Sequence, residues 1–393
     1  MDSNIYKCSM AQYKKAKEMI LELHTNVKRL ISPNLKNRDF KKAGLSEVGV
    51  GSLDGVPVER VIIILRGSGC EWAQNREGGC TMCGHLSGSS LGASIPPGHF
   101  IKQFDDVMKR YDFRKYPMLC LYNGGSFLNE REIPKEVRRY MLRKIGAVSH
   151  IKRLIIESRP EHITKKMLDE IEALLPHTTV EIGVGVETVS DILRELVLNK
   201  GVTSAELIKV GEKFRNRKTR LLAYVLVNPP FLTEMEAIED TVASIRFAAE
   251  IGAKIVSLEA VSIQHLTLVS FLAEAGFYQT PWIWSMFEIV RRTYHPGLQL
   301  RIGGFEFFPI PKEFTSNCLA CNEKMIEKIN EFNKYNDLGI IENLSCSQHC
   351  DLEWKKELQV VDNRNLPERI ISTLGAIDIE KVLNRLKQYE HKN

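Results

Sequence analysis

Three cysteines, Cys70, Cys80 and Cys83, fall inside one glycine-rich stretch, Arg66-Gly-Ser-Gly-Cys70-Glu-Trp-Ala-Gln-Asn-Arg-Glu-Gly-Gly-Cys80-Thr-Met-Cys83. Thiolates are soft ligands, and three on one loop can hold three irons of a four-iron four-sulfur cube, leaving the fourth iron open. A Cys-x2-Cys pair also reads as half of a zinc site, so zinc stays open here. Near the other end, Cys318-Leu-Ala-Cys321 and Cys346-Ser-Gln-His-Cys350 are separated by 24 residues. Four thiolates at that spacing suit a closed tetrahedral zinc site, with a second cluster as the competing reading and His349 as a substitute ligand. Nine cysteines are an odd number, and seven of them in two tight groups favour metal sites in a reducing compartment over a disulfide framework. The other two read as ordinary: Cys120 sits inside an apolar strand pattern and Cys8 has no partner nearby in sequence.

The elements that must position these groups alternate along the chain. Short apolar runs at Val61–Leu65, Pro117–Tyr122, Arg153–Ile156, Thr179–Val186, Leu221–Val227 and Lys254–Leu258 read as strands. Helical patterns lie between them: Pro134 at a first helical position, Thr164 before Met167, and Thr233 with Glu236 at capping-box spacing, stopped by Gly252. Repeated β-α units with non-alternating strands predict a parallel sheet, hence an α/β fold with a partial (β/α)6 barrel. An N-terminal helix over Ala11–Leu30, ended by Pro33, precedes it, and Ile377–Tyr389 reads as a terminal amphipathic helix. The expected division is a helical extension over 1–50, the barrel over 51–305, and a small four-cysteine metal-binding region with the terminal helix over 306–393.

In such folds the chemistry gathers at the carboxyl ends of the strands. The cysteine loop follows the first strand, and Tyr122-Asn123-Gly124-Gly125-Ser126-Phe127 follows the second. Those glycines permit close backbone approach to a ligand or simply end the strand. The third ends in Glu157-Ser158-Arg159-Pro160 and the fourth in Gly185-Val186-Glu187-Thr188. A carboxylate at the end of a buried strand is costly without a partner, so each Glu faces a ligand or a neighbouring arginine. The fifth ends in Asn228-Pro229-Pro230-Phe231, a stiff turn that lines a pocket or breaks the strand. Trp72 and Met82 are placed to shield a cluster or pack on an adenine.

In this order the pieces resemble the radical S-adenosylmethionine superfamily. Within it the chain resembles the archaeosine-biosynthesis (RaSEA-like) branch that works beside archaeosine synthase. The matching stretches span roughly residues 45 to 360 and are carried by the cysteine loop, Gly124-Gly125-Ser126-Phe127-Leu128-Asn129-Glu130-Arg131-Glu132-Ile133-Pro134, Glu157–Glu161, Gly185–Thr188, Asn199-Lys200-Gly201, Asn228–Glu234 and the C-terminal cysteines. The resemblance implies a four-iron four-sulfur cluster on Cys70, Cys80 and Cys83, although their Cys-x9-Cys-x2-Cys spacing lengthens the superfamily's usual Cys-x3-Cys-x2-Cys. It implies that S-adenosylmethionine is contacted by Met82, Asn123, Gly124, Gly125, Ser126, Glu157, Arg159, Glu187 and Asn228. It further implies a 5′-deoxyadenosyl radical that cleaves a lysine adduct on a 7-deazaguanine base in tRNA, leaving the formamidine of archaeosine. The implied partners are tRNA, an archaeosine synthase-like protein and an electron donor. Two departures bear on the substrate: Asn228 stands where that branch has lysine, and Leu258–Gln264 replaces an Asn-Pro-bearing segment.

The net charge of +5, from 54 basic and 49 acidic residues, does not by itself announce nucleic acid. Lys36, Arg38, Lys41 and Lys42, and Arg138, Arg139, Arg143 and Lys144, read as phosphate contacts or as solvated faces, while the small C-terminal unit reads as presenting Lys324, Lys328 and Lys334 to RNA, as docking a synthase partner or as a folding clip. Met1–Leu30 mixes Lys and Glu with apolar residues, giving the expectation of a cytoplasmic protein with no membrane contact. No serine-nucleophile elbow or Walker-type phosphate loop competes with radical chemistry. Two other readings stay open: a radical enzyme acting on a free metabolite or peptide, and a non-catalytic zinc-binding RNA protein.

Overall fold

The computed structural model describes residues 5–31, 38–305 and 308–390; Pro33 and Lys36 lie outside them. One sheet holds eight strands in chain order: β1 (Leu45–Leu53), β2 (Val56–Ile64), β3 (Met118–Tyr122), β4 (Arg153–Glu157), β5 (Thr179–Glu187), β6 (Arg220–Val227), β7 (Ile255–Ala260) and β8 (Gln299–Gly303). β1 forms an antiparallel hairpin with β2, and β2 through β8 are all parallel.

The strands read as unbroken apolar runs because both faces are covered. Side chains alternate in period two. Val61, Leu119, Leu154, Leu221 and Val256 face the surrounding helices, while Ile62, Cys120, Ile155, Leu222 and Ile255 form a separate inner cluster. The sheet curls. Glu181 on β5 pairs with Arg153 of β4 at 2.9 Å and with Arg301 of β8 at 3.0 Å. Side chains stand roughly perpendicular to a sheet, so strands that would lie about 14 Å apart on a flat sheet bring their side chains together only when the sheet bends. The result is the expected partial barrel.

Local chemistry sets the helix limits. Thr164 caps Lys165–Leu174, and Thr233 with Glu236 forms a reciprocal box at the start of Glu234–Glu250, beyond which Gly252 takes φ +98°. Pro134 is the N-cap residue of Lys135–Gly146, one position earlier than expected. The N-terminal helix, Met10–Lys28, buries Ala16, Ile20, Leu23 and Val27 against the Leu366–Gly375 helix, in a cluster of its own.

Two strands are additions to the sequence reading, and both are sheet edges. β1 is half-exposed and carries two glycines, and β8 is five residues long with only two buried. Neither pattern resembles a core strand. The outer edge of β8 is occupied by side chains of the Asn322–Tyr335 helix and its cap. Ile302 N–H donates to Asn333 Oδ1 at 2.8 Å, Asn333 Nδ2 donates to the Ile302 carbonyl at 2.9 Å, and Leu300 N–H donates to Asn336 Oδ1 at 3.0 Å. That helix also packs on β1 and β2, so it bridges the two edges of the open sheet.

Candidate active site

The cysteine loop leaves the carboxyl end of β2 and is held from two sides. Lys28 Nζ, on the N-terminal helix, donates to the carbonyls of Ala73, Asn75 and Gly78, each at 2.8 Å. On the other side, Trp72 Nε1 donates to the Asn199 carbonyl at 2.9 Å, and Asn199 Nδ2 donates to the carbonyls of Glu77 (2.7 Å) and Gly79 (3.0 Å). Thr81 adds bonds to the carbonyls of Val197 and Leu198. The long first gap between cysteines is therefore an anchored excursion: a four-residue helix, Glu71–Gln74, and a turn that dock on neighbouring elements.

One cavity of ≈ 360 Å³ opens at the carboxyl ends of the strands. Its wall brings together Cys70, Cys80, Met82, Cys83, Gly124, Gly125, Glu157, Arg159 and Glu187. Asn123 and Ser126 lie just behind it, both buried. Asn228 does not border it. The backbone there takes φ +63°, the amide donates to the Gln279 carbonyl at 3.2 Å, and the residue lines a separate cleft of ≈ 280 Å³ with Pro229, Pro230 and Phe231. The departing segment, which begins within β7, does reach the main cavity, through Glu259, Ser262 and Gln264.

Burial pushes the Cys70 thiol up to about 11 and the Cys83 thiol up to about 12, and raises Cys80 as well. Nearby positive charge works the other way: Lys200 favours the thiolate of Cys80, and Arg159 that of Cys70 and Cys80. Only the thiolate is a metal ligand, so a cationic metal group held here would complete what these side chains begin. Glu187 is paired with Lys200 at 2.5 Å, both well buried, so a lysine stands where the sequence offered a ligand or an arginine. Glu187 also sits in the left-handed region at φ +64°, at a register shift in β5; such outliers persist where surrounding structure imposes them. Glu157 is half-buried beside the Tyr224 hydroxyl, and its desolvation pushes the carboxyl up to about 7. Arg159 stacks over the Trp72 ring at 5.3 Å and donates to Glu161 Oε1 and the Lys200 carbonyl.

Sequence reasoning assigned no role to Lys200, Tyr224 or Glu259. Tyr224 lies within a strand rather than at its end, and the only available signal was the inward alternation Leu222, Tyr224, Leu226. Of the basic groups, Arg138 turns inward: it is fully buried and bonded to the Leu128 carbonyl and Glu130. No helix among the described residues is long and apolar enough to cross a membrane.

The C-terminal cysteines form a second, different site. Cys318, Cys321, Cys346 and Cys350 place their sulfurs within 4.8 Å of one another, with Sγ···Sγ separations of 3.7, 3.3 and 3.6 Å. A tetrahedral ion with Zn–S bonds of about 2.3 Å requires sulfurs about 3.8 Å apart. A four-iron cube binds each thiolate to a different iron and holds them further apart, so this spacing suits one ion. The Trp284 indole donates to Cys350 Sγ at 3.2 Å and Gln348 N–H to Cys346 Sγ at 3.3 Å, orienting the ligands from behind. His349 is not part of the group; it precedes the Cys350–Glu357 helix at φ +55°.

No protein-family model matches the chain. Among curated proteins it is 32% identical over 320 residues, 77% of this chain and 83% of the relative, to the Methanocaldococcus jannaschii protein described as uncharacterized protein MJ0550. It is 29% identical to archaeosine synthase subunit beta of Methanosarcina acetivorans, covering 87% of this chain and 96% of the relative. With the Thermococcus kodakarensis protein of the same name the identity is 26%, over 81% and 96%. Similar solved structures include the archaeal Elp3 of Methanocaldococcus infernus, at 13% identity, TM-score 0.45 and 62% of each chain. Another is the radical S-adenosylmethionine methyltransferase TsrM of Kitasatospora setae, at 14% identity, TM-score 0.38, 55% of this chain and 39% of that one. The chain spans less than two thirds of the length of either solved structure.

Proposed function

As a chain that belongs to the family of the Methanocaldococcus jannaschii protein MJ0550, this protein is, we propose, a radical S-adenosylmethionine enzyme of archaeosine synthesis. The observation that carries the reading is the convergence of three cysteines and a glycine turn on one cavity at the carboxyl ends of parallel strands. Cys70, Cys80 and Cys83 would hold a four-iron four-sulfur cluster, and Gly124 and Gly125 would leave room for the methionine end of S-adenosylmethionine. When bound, this pair supplies one electron to a sulfonium and a 5′-deoxyadenosyl radical that takes a hydrogen from the substrate.

The chain's own groups prepare that chemistry. Arg159 and Lys200 offset the negative charge of the thiolates, and the Glu187–Lys200 pair fixes the ammonium beside Cys80. Glu157 offers a half-buried carboxyl to hydroxyl donors. Met82 closes the wall next to Cys83 and excludes water. The quartet of C-terminal cysteines holds a structural zinc ion.

Relatives named archaeosine synthase subunit beta support a place in the archaeosine route and a second subunit as partner; the lysine adduct on a 7-deazaguanine base of tRNA is the substrate that the sequence resemblance implies. A second reading, the same chemistry on another substrate, is favoured by Glu259 and Ser262 on the cavity wall, where the sequence departs from the archaeosine branch. The test is anaerobic reconstitution followed by iron and sulfide analysis, electron paramagnetic resonance and an assay for 5′-deoxyadenosine. A cluster signal that shifts with S-adenosylmethionine, and cleavage that depends on adduct-bearing tRNA, are expected. Cleavage indifferent to that tRNA favours the second reading, and zinc alone in both cysteine groups sinks both.

A further inference from the structure

We infer that Glu132, outside the cavity wall, is a positioning residue: a buried carboxylate strut that ties the cysteine loop to the glycine turn. The inference rests on the reading of those two segments as cluster- and S-adenosylmethionine-binding. Glu132 Oε1 accepts from Glu71 N–H at 3.0 Å and from Asn129 Nδ2 at 3.1 Å, while Oε2 accepts from Ser126 N–H at 2.6 Å and from Asn123 Nδ2 at 3.2 Å. Glu71 directly follows Cys70, and Ser126 directly follows Gly125. One side chain, 3% exposed, thus fixes the spacing of two loops separated by more than fifty residues.

The number of bonds decides the role. A carboxylate offers about four lone-pair sites, and this chain fills all of them, leaving none for a ligand. Glu132 acts through its neighbours. Because a carboxylate only accepts, it also forces Asn123 to present Nδ2 to it, which resolves an amide that could otherwise face either way. Asn123 Oδ1 is then a fixed acceptor, buried and without a partner among the described residues, immediately before Gly124. The packing leaves no slack at the turn: a Cβ on Gly125 would lie 2.0 Å from Glu132 Oε2 and 3.1 Å from Cys70 Cα. Glu130, two residues earlier, provides an internal control, since its side chain is 57% exposed.

Glu132→Gln separates the alternatives. Glutamine keeps the size but has one oxygen. Asn123 can flip to suit it; Asn129 is held by Arg131 N–H on its Oδ1 and by Glu71 Oε2 on its Nδ2, and the two backbone N–H groups cannot turn, so either Glu71 or Ser126 loses its acceptor. A buried donor left unpaired is worth roughly ten- to a hundredfold in the affinity of a ligand that needs both loops in register. In the anaerobically reconstituted full chain, titration of S-adenosylmethionine against the reduced cluster's paramagnetic signal should give a Kd raised by that factor. The iron content should match wild type, and Glu130→Gln should leave the Kd unchanged.

Hydrogen exchange on the metal-free protein gives an independent readout. The Glu71 and Ser126 amides should exchange slowly and together in wild type, and one of them at least tenfold faster in Glu132→Gln. Wild-type affinity with wild-type exchange at both amides in the variant overturns the strut. So does rapid exchange of either amide in wild type, a result that does not depend on the variant folding. A wild-type protein that takes up no cluster sinks the functional reading instead, and the exchange data then decide the strut alone.

Discussion

The two cysteine sites solve opposite problems. The C-terminal quartet gathers its sulfurs within 4.8 Å of one another, three of the pairs 3.3 to 3.7 Å apart, backed by indole and backbone donors. The loop triad spreads around a cavity of ≈ 360 Å³, each thiol pushed up by burial, with Arg159 and Lys200 close by. A closed ligand sphere holds chain together; an open one leaves a coordination position for chemistry. The same residue type serves both ends because the surroundings, not the thiols, differ.

The most severe way to break the comparison is to remove a ligand from each site in turn. Cys80→Ala should abolish cluster uptake and cofactor cleavage while one metal ion per chain remains at the quartet, as elemental analysis would show. Cys350→Ser should do the reverse to composition and cost at least about 3 kcal/mol of stability, read in thermal unfolding, because structural metal binding contributes directly to folding. Loss of both metals in either variant would mean that the sites are not separate.

A second test concerns the charge that only the open site carries. Lys200→Met leaves Glu187 buried without its cation, and should destabilise the metal-free protein by about 3–5 kcal/mol. The same change should also weaken cluster retention, whereas the quartet should keep its ion.

A gentler test uses pH. Burial raises the Glu157 carboxyl to about 7 from its ordinary 4.5, so the folded state holds a proton that the unfolded chain releases. The stability from this group is fully present below about 4.5 and is lost as pH rises to about 7, by roughly 2–4 kcal/mol in all. Glu157→Gln should flatten that portion of the stability–pH curve of the metal-free protein. An unchanged slope would mean that the Glu157 carboxyl is not desolvated at the cavity wall. Smaller still in stability, but sharp in ligand affinity, is the effect expected of Glu132→Gln.

How much of this was legible in sequence follows from the range of the interactions. β2 to β7 were readable because strands buried on both faces announce themselves as apolar runs. β1 and β8, as half-exposed edges, do not. The cysteine loop, glycine turn, Glu157 and Arg159 were readable because a strand's carboxyl end is a local address. Asn228 occupies such an address too, yet its left-handed backbone turns the amide toward Gln279 and away from the cavity. The Glu187–Lys200 pair, the Tyr224 contact and the bonds of Glu132 join segments through space, and nothing in the spacing of residues records them. The long Cys70–Cys80 gap, unexplained by any motif, is accounted for by the docking of its extra residues on Lys28 and Asn199.

The amide brackets on β8 have a bearing on how the protein fails. Asn333 belongs to, and Asn336 caps, the helix whose first turn follows Cys321, the N-cap residue and a member of the quartet. A chain whose four thiols are not bridged lacks the fastener at the start of that helix. If the helix lifts, β8 is left as a bare strand edge with a row of unpaired amides and carbonyls, the template on which misassembled chains add to one another. An ion at the quartet would thereby guard solubility as much as shape, and metal-starved protein should be lost to polymers before it is lost to unfolding.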